Sequence, residues 1–144
     1  MEVVCLHNDP TFEEYSMSKR CFNASNAPLA IGPYSHAVVA GDFVYLSGQE
    51  GLDPFSNQLV SGGIVPETRQ VLTNLKAILT EMNLSLADVV KTSVFLKDMA
   101  DFADFNAVYA EFFPTDCPAR TTIQAAALPK NANVEIDLVA YKGK

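Results

Sequence analysis

The 144-residue chain contains no CxxC pair, no cluster of histidines, no run of basic residues and no uninterrupted apolar stretch near the roughly 20 residues that cross a bilayer. Each absence removes a class of function. The three cysteines, Cys5, Cys21 and Cys117, are odd in number and far apart, which fits a reducing compartment and not a disulfide framework. Cys117, set in an Asp-Cys-Pro loop, reads as a loop residue before it reads as a nucleophile. His7 and His36 have no thiols or carboxylates clustered beside them, so neither a metal nor a cofactor is expected. Lys and Arg number 10 against 17 Asp and Glu, a formal charge of -7 with a pI near 4.6. Phosphate binding replaces condensed counterions with basic side chains, so nucleic acid is an unfavourable partner. No basic segment leads into an apolar one as in a secretory leader. The expectation is a soluble cytoplasmic protein with no membrane attachment.

What is present is the composition of a globular chain, 49% hydrophobic and 19% charged, at a length suited to one core. Residues 1–24 show no sustained period, and the first sixteen carry Glu2, Asp9, Glu13 and Glu14 with no Lys or Arg. Without those four acids the formal charge is -3, 13 acids against 10 bases. Met17 opens Met-Ser-Lys-Arg and could equally be a start. We read residues 1–24 as a flexible extension and residues 25–144 as one domain.

Within the domain, 37–40 and 43–47 are β-rich runs split by Gly41-Asp42, a two-residue hairpin turn. Gly48 ends the second run, and a turn through Asp53-Pro54 and Ser56-Asn57 leads to a short strand near 58–61. From Ile64 to Met82 apolar residues recur every 3.6 positions, with Pro66 and Glu67 suited to a first turn, so a helix of about five turns is expected. Residues 89–96 alternate as a strand that is apolar on much of both faces. A second helix begins at Asp101, which can cap it, and strings Phe102, Phe105, Tyr109, Phe112 and Phe113 along one side until Pro114 stops it. This aromatic stripe reads as core packing. Strands at 120–126 and 134–141, joined by a turn at Pro129-Lys130-Asn131, close the chain, and in the last strand Glu135 points away from the apolar row.

The order β-β-(β)-α-β-α-β-β describes an α+β sandwich in which two helices cover one face of a mixed sheet. Strands with apolar residues on both sides need a cover for the other face too, so an oligomer is expected.

The run Ala27-Pro28-Leu29-Ala30-Ile31-Gly32-Pro33-Tyr34-Ser35 closely resembles the opening of the RidA/YjgF family, also labelled endoribonuclease L-PSP. The resemblance continues through Tyr45-Leu46-Ser47-Gly48-Gln49, Gly51-Leu52-Asp53-Pro54, the Val90 to Met99 segment, Asp101-Phe102, Asn106, Pro118-Ala119-Arg120-Thr121, Leu128-Pro129 and Val134-Glu135-Ile136. It spans about residues 24–141. What it implies is a chorismate-mutase-like (YjgF-type) six-stranded α+β fold, assembled as a homotrimer whose sheets form a central barrel with ligand clefts between subunits. It also implies hydrolytic deamination of 2-imino acids such as 2-iminopropanoate and 2-iminobutanoate to 2-keto acids and ammonia.

By that resemblance Arg120 binds the substrate carboxylate, which suits a planar guanidinium fork; the alternative is an ion pair. Glu135 would position water or move protons, or be a solvated or intersubunit carboxylate. Tyr34 would give a phenol donor and a ring wall, Gly48 close approach of ligand to backbone, and Ser47, Asn106 and Thr122 further substrate contacts. Three positions depart from the pattern. Thr122 stands where many relatives have cysteine, His36 where they often have glutamine, and Glu50 where they often have an apolar residue; the last two would narrow or recharge the cleft. A binding module for 2-keto acids and, less favoured, a ribonuclease are the competing readings. The ribonuclease lacks a general acid-base histidine pair and a basic groove.

Overall fold

A computed structural model describes residues 19–143; residues 1–18 of the expected extension lie outside it. Eight elements follow in order: β1 (Arg20–Phe22), β2 (Ala37–Ala40), β3 (Phe43–Glu50), α1 (Ile64–Glu81), β4 (Val89–Leu96), α2 (Phe102–Phe112), β5 (Ala119–Gln124) and β6 (Val134–Tyr141). They make one six-stranded mixed sheet in the order β1-β2-β3-β6-β4-β5 with both helices on one face, the α+β class expected. Only β4 and β5 run parallel, as the α2 crossover between them requires; all other pairs are antiparallel.

The core forms where two periodicities meet. Val71, Leu72, Leu75, Ile78 and Leu79 make the buried stripe of α1, and alternate residues of the strands, Val44, Leu46, Val94, Leu96, Ile136 and Leu138, rise to meet it. Phe105 and Tyr109 of α2 complete the layer. At the end of α1, Asn83 takes the left-handed conformation (φ 58°), and Asn83 N and Leu84 N donate back to Thr80 O and Leu79 O, closing the helix as glycine commonly does.

Four expectations need correction. The sixth strand is β1, inside the presumed extension, while residues 58–61 contribute only a single bridge between Leu59 and Leu52. Strand β3 does not stop at Gly48. It runs on to Glu50 across a register shift between Leu46 and Gln49, a bulge that turns the residues beyond it. Asp101 makes no side-chain cap; Asp98, one turn earlier, accepts from Ala100 N and starts the segment instead. Strand β5 ends at Gln124, short of Ala126.

A buried polar tie joins the helix layer to the loop before β6. Glu67, 2% exposed, accepts from Asn133 N at 2.7 Å and from Asn133 Nδ2. Removing one side of a buried pair leaves the other unsatisfied, so Glu67→Ala is expected to cost about 2–3 kcal/mol, read as a lower midpoint in urea unfolding.

Among the described residues nothing covers the face away from the helices. By strand alternation it carries Val38, Tyr45, Phe95, Ile123, Val139 and Tyr141, of which Tyr45, Ile123 and Tyr141 are 50%, 49% and 41% exposed. No helix among the described residues is long and apolar enough to cross a membrane.

Candidate functional site

Two separate clefts collect the residues singled out in the sequence. The first, of about 220 Å³, is lined by Ile31, Tyr34, Ser47, Gly48, Glu50, Pro129 and Glu135. The β3 bulge shapes its floor. Its glycine is needed there, because a Cβ on Gly48 would fall on Glu135 Oε1 and lie 2.9 Å from Glu135 Cδ, so the acidic side chain rests directly on bare backbone. Tyr34 forms a wall; its ring packs over Gly32 and its hydroxyl accepts from Ile31 N at 3.3 Å. The Ser47 hydroxyl is already committed, donating to Ser35 O at 2.7 Å, so it tethers the Tyr34 loop to β3 and has only acceptor capacity left for a ligand.

Two acidic groups face this cleft. Glu50 and Glu135 are cross-strand partners on β3 and β6. Burial pushes both carboxyls above the ordinary carboxylate value, and for Glu135 the charges of Glu50 and Asp137 push the same way. A backbone amide and Lys130 partly offset the rise at Glu50.

The second cleft, of about 390 Å³, is lined by Asn106, Tyr109, Ala110, Phe113, Cys117, Pro118 and Arg120. Arg120 lies on a shelf of rings, its Cζ 4.7 Å from the Tyr109 centroid, 5.6 Å from Phe105 and 5.7 Å from Phe102. Among the described residues the only ion pair joins Arg69 to Glu111, so the guanidinium has no carboxylate partner there. Two residues along on the same face of β5, Thr122 keeps a buried Oγ1 with no hydrogen-bond partner among the described residues. The aromatic stripe of α2 does pack in the core, as read from its spacing. What that reading missed is its second use as the bed for Arg120; the (i, i+3) and (i, i+4) placing of Phe102, Phe105 and Tyr109 was the available signal. Tyr109 Oη is held by Thr92 Oγ1 at 2.8 Å, which fixes the ring under the guanidinium.

The chain does not bring these two groups together. Arg120 is in register with Thr92, and Thr92 with Leu138, a row that faces the helices; Glu135 is in register with Phe95 and Glu50, a row on the uncovered face. Arg120 and Glu135 therefore project to opposite sides of one sheet. Nor does His36 narrow or recharge the cleft. It is buried outside the lining, with Nδ1 accepting from Ala24 N and Nε2 donating to Pro28 O, the neutral form holding residues 24–28 in place. No group of three or more potential metal ligands occurs among the described residues.

This pairing of a bulged, glycine-floored acidic cleft with an aromatic-bedded arginine accompanies a match of residues 24–142 to the family model described as Endoribonuclease L-PSP. The chain belongs to that family. It is 45% identical over 128 residues to the 2-iminobutanoate/2-iminopropanoate deaminase of Homo sapiens, covering 89% of this chain and 93% of the relative. A RutC family protein of Pyrococcus horikoshii is 48% identical, with 86% and 98% covered. Among solved structures, Escherichia coli TdcF with bound serine superposes with a TM-score of 0.82 at 35% identity, covering 86% of this chain and 99% of that one. Every block quoted for the RidA/YjgF resemblance falls inside the matched span.

Proposed function

We propose that this L-PSP family member hydrolyses small 2-imino acids to 2-keto acids and ammonia. The observation that carries the reading is Arg120: a guanidinium without a carboxylate partner among the described residues, set over the rings of Tyr109 and Phe105 and near Asn106 and the orphaned Thr122 hydroxyl. A planar fork fixed in that way matches a substrate carboxylate. The names of the mammalian relatives, which state this activity, support it.

The substrate supplies its own electrophile, since a protonated imine exposes its carbon to water. What remains for the protein is orientation and proton traffic. Arg120 clamps the carboxylate, Tyr34 walls the imine, and Glu135 takes a proton from the attacking water. Because Arg120 and Glu135 of one chain face opposite sides of the sheet, the complete site needs a second copy whose β5 edge meets the Tyr34 cleft. A homotrimer closing the uncovered faces into a barrel would do this. The edge of β5, which among the described residues pairs only with β4, and the exposed Tyr45 and Ile123 support that assembly.

The TdcF structure with bound serine favours a second reading, in which the same residues bind a small carboxylate without turnover. The ribonuclease in the family's name has less behind it: His36 has both ring nitrogens committed, and the chain is acidic. To decide, 2-iminopropanoate and 2-iminobutanoate are generated in situ by an amino-acid oxidase and trapped with semicarbazide. The protein is expected to suppress trapping and to speed ammonia release. Unchanged trapping with measurable 2-keto acid binding would replace hydrolysis by sensing.

A further inference from the structure

The Tyr34 cleft contains one carboxyl more than a single general base requires. Glu50 and Glu135 sit opposite one another on antiparallel β3 and β6, both half-buried and both lining the cleft. Cross-strand partners have Cβ atoms roughly 4.5–5.5 Å apart, and like charges in that arrangement repel. Resting on the deaminase reading, we infer that Glu50 and Glu135 work as one carboxyl pair sharing a single proton, with Glu50 a second group that exchanges protons with the substrate.

The surroundings agree. Glu135 faces the like charges of Glu50 and Asp137, and burial disfavours the ionised form of both cleft acids. The offsetting cation at Glu50 is Lys130, whose Nζ also donates to Asn57 O; Tyr34 is the remaining titratable group of the lining. In the assembly proposed above, Arg120 of a second copy brings one positive charge, which the substrate carboxylate cancels. An iminium then leaves one positive charge to be met, and a carboxyl pair carrying one proton supplies a single negative charge.

The chemistry uses both states of the pair. Water oxygen bonds to the iminium carbon, the C=N π electrons move to nitrogen, and the ionised carboxyl takes the water proton. A carboxylic acid of the pair then protonates the amine nitrogen, the C–N bond breaks with its electrons leaving on ammonia, the hydroxyl oxygen forms C=O, and the hydroxyl proton returns to the pair, which passes it on to the departing ammonia. The balance is iminium plus water giving ketone plus ammonium, with the pair restored.

The test is a pH titration of carboxyl-13C-glutamate-labelled full-length protein by NMR, for wild type, Glu50→Gln, Glu50→Leu and Glu135→Gln. The Glu135 resonance is expected to titrate above the ordinary 4.5 in wild type and to move down in both Glu50 variants. Glu50 should move down reciprocally in Glu135→Gln, and the alkaline limb of the kcat/KM profile should shift in Glu50→Gln. Folding raises both pKa values, so the pair's stabilising contribution is present below about pH 4.5 and is lost as pH rises through the folded values. Relative to wild type, Glu50→Gln should therefore gain stability at pH 7 over pH 4. Glu135 titrating identically in wild type and both Glu50 variants overturns the pair even if deamination stands. Absence of wild-type deamination fails the proposed function, and with it the pair's catalytic use, whatever the titration shows.

Discussion

Arg120→Ala is expected to lower kcat/KM for 2-iminopropanoate by about 10²- to 10³-fold, with loss in kcat as well as a rise in KM. In the proposed mechanism the clamp does more than bind. Once the carboxylate is fixed at two points, the imine carbon has one position relative to Tyr34 and the cleft acids, and misplacement by about 1 Å is enough to cost 10²-fold in rate. Arg120→Lys keeps the charge and loses the fork. It also loses the guanidinium's contact with the rings of Tyr109, Phe105 and Phe102 that holds the donor in place. The lysine variant should therefore recover only part of the loss. The fold should tolerate both changes, because an exposed-side cation–π contact is worth about 0.5–1 kcal/mol. Steady-state kinetics on variants checked for unchanged oligomer size measures this. Wild-type kcat/KM in Arg120→Ala would remove the clamp and return Arg120 to a packing role.

The parts of this molecule that could be read from sequence are those whose own residues repeat a period. Strands β4 and β6 were expected at 89–96 and 134–141 and occupy those residues; α1 differs from its expected span by one residue. Each is long enough to display alternation or a 3.6-residue stripe, and each buries that pattern against a neighbour. Strand β1 could not be read this way. Three residues, Arg20–Phe22, cannot show a period, and the strand exists because of pairing with Val38 and its neighbours some 17 positions on. The segment at 58–61 has the composition of a strand, but Asn57 in the left-handed region and the Leu52–Leu59 bridge close it into a loop with no sheet partner. For the site, motif positions located Tyr34, Gly48, Glu135, Asn106 and Arg120, and each lines a cleft. Their division between two faces was hidden, because it depends on the register of β5 against β4 and of β4 against β6. No single strand carries that information. The engagement of the Ser47 hydroxyl with Ser35 O was hidden for the same reason.

Two glycines three residues apart should fail in opposite ways when a methyl is added. At Gly48 the new Cβ would fall on Glu135 Oε1, the far end of a flexible side chain, which can swing aside at small cost to the fold. At Gly51 it would lie 2.8 Å from Glu67 Cα and 2.9 Å from Glu67 O, both backbone of the first turn of α1. That turn cannot yield locally, since the Glu67 carboxylate is tied to Asn133 and the helix behind it carries Val71 and Leu72 into the core. Overpacking of this kind costs about 1–3 kcal/mol. Gly51→Ala is thus expected to lower stability by that amount. Gly48→Ala should leave the unfolding midpoint nearly unchanged while activity falls by about 10²-fold, because Glu135 is displaced from the substrate and the methyl occupies the approach to the backbone. Urea unfolding beside imine hydrolysis separates the two variants. If Gly48→Ala kept full activity, Glu135 would not need its observed position over the β3 bulge, and its part in proton transfer would have to be given up. Were Gly48→Ala instead to unfold as readily as Gly51→Ala, the bulge would be a packing element, and its glycine would owe nothing to substrate approach.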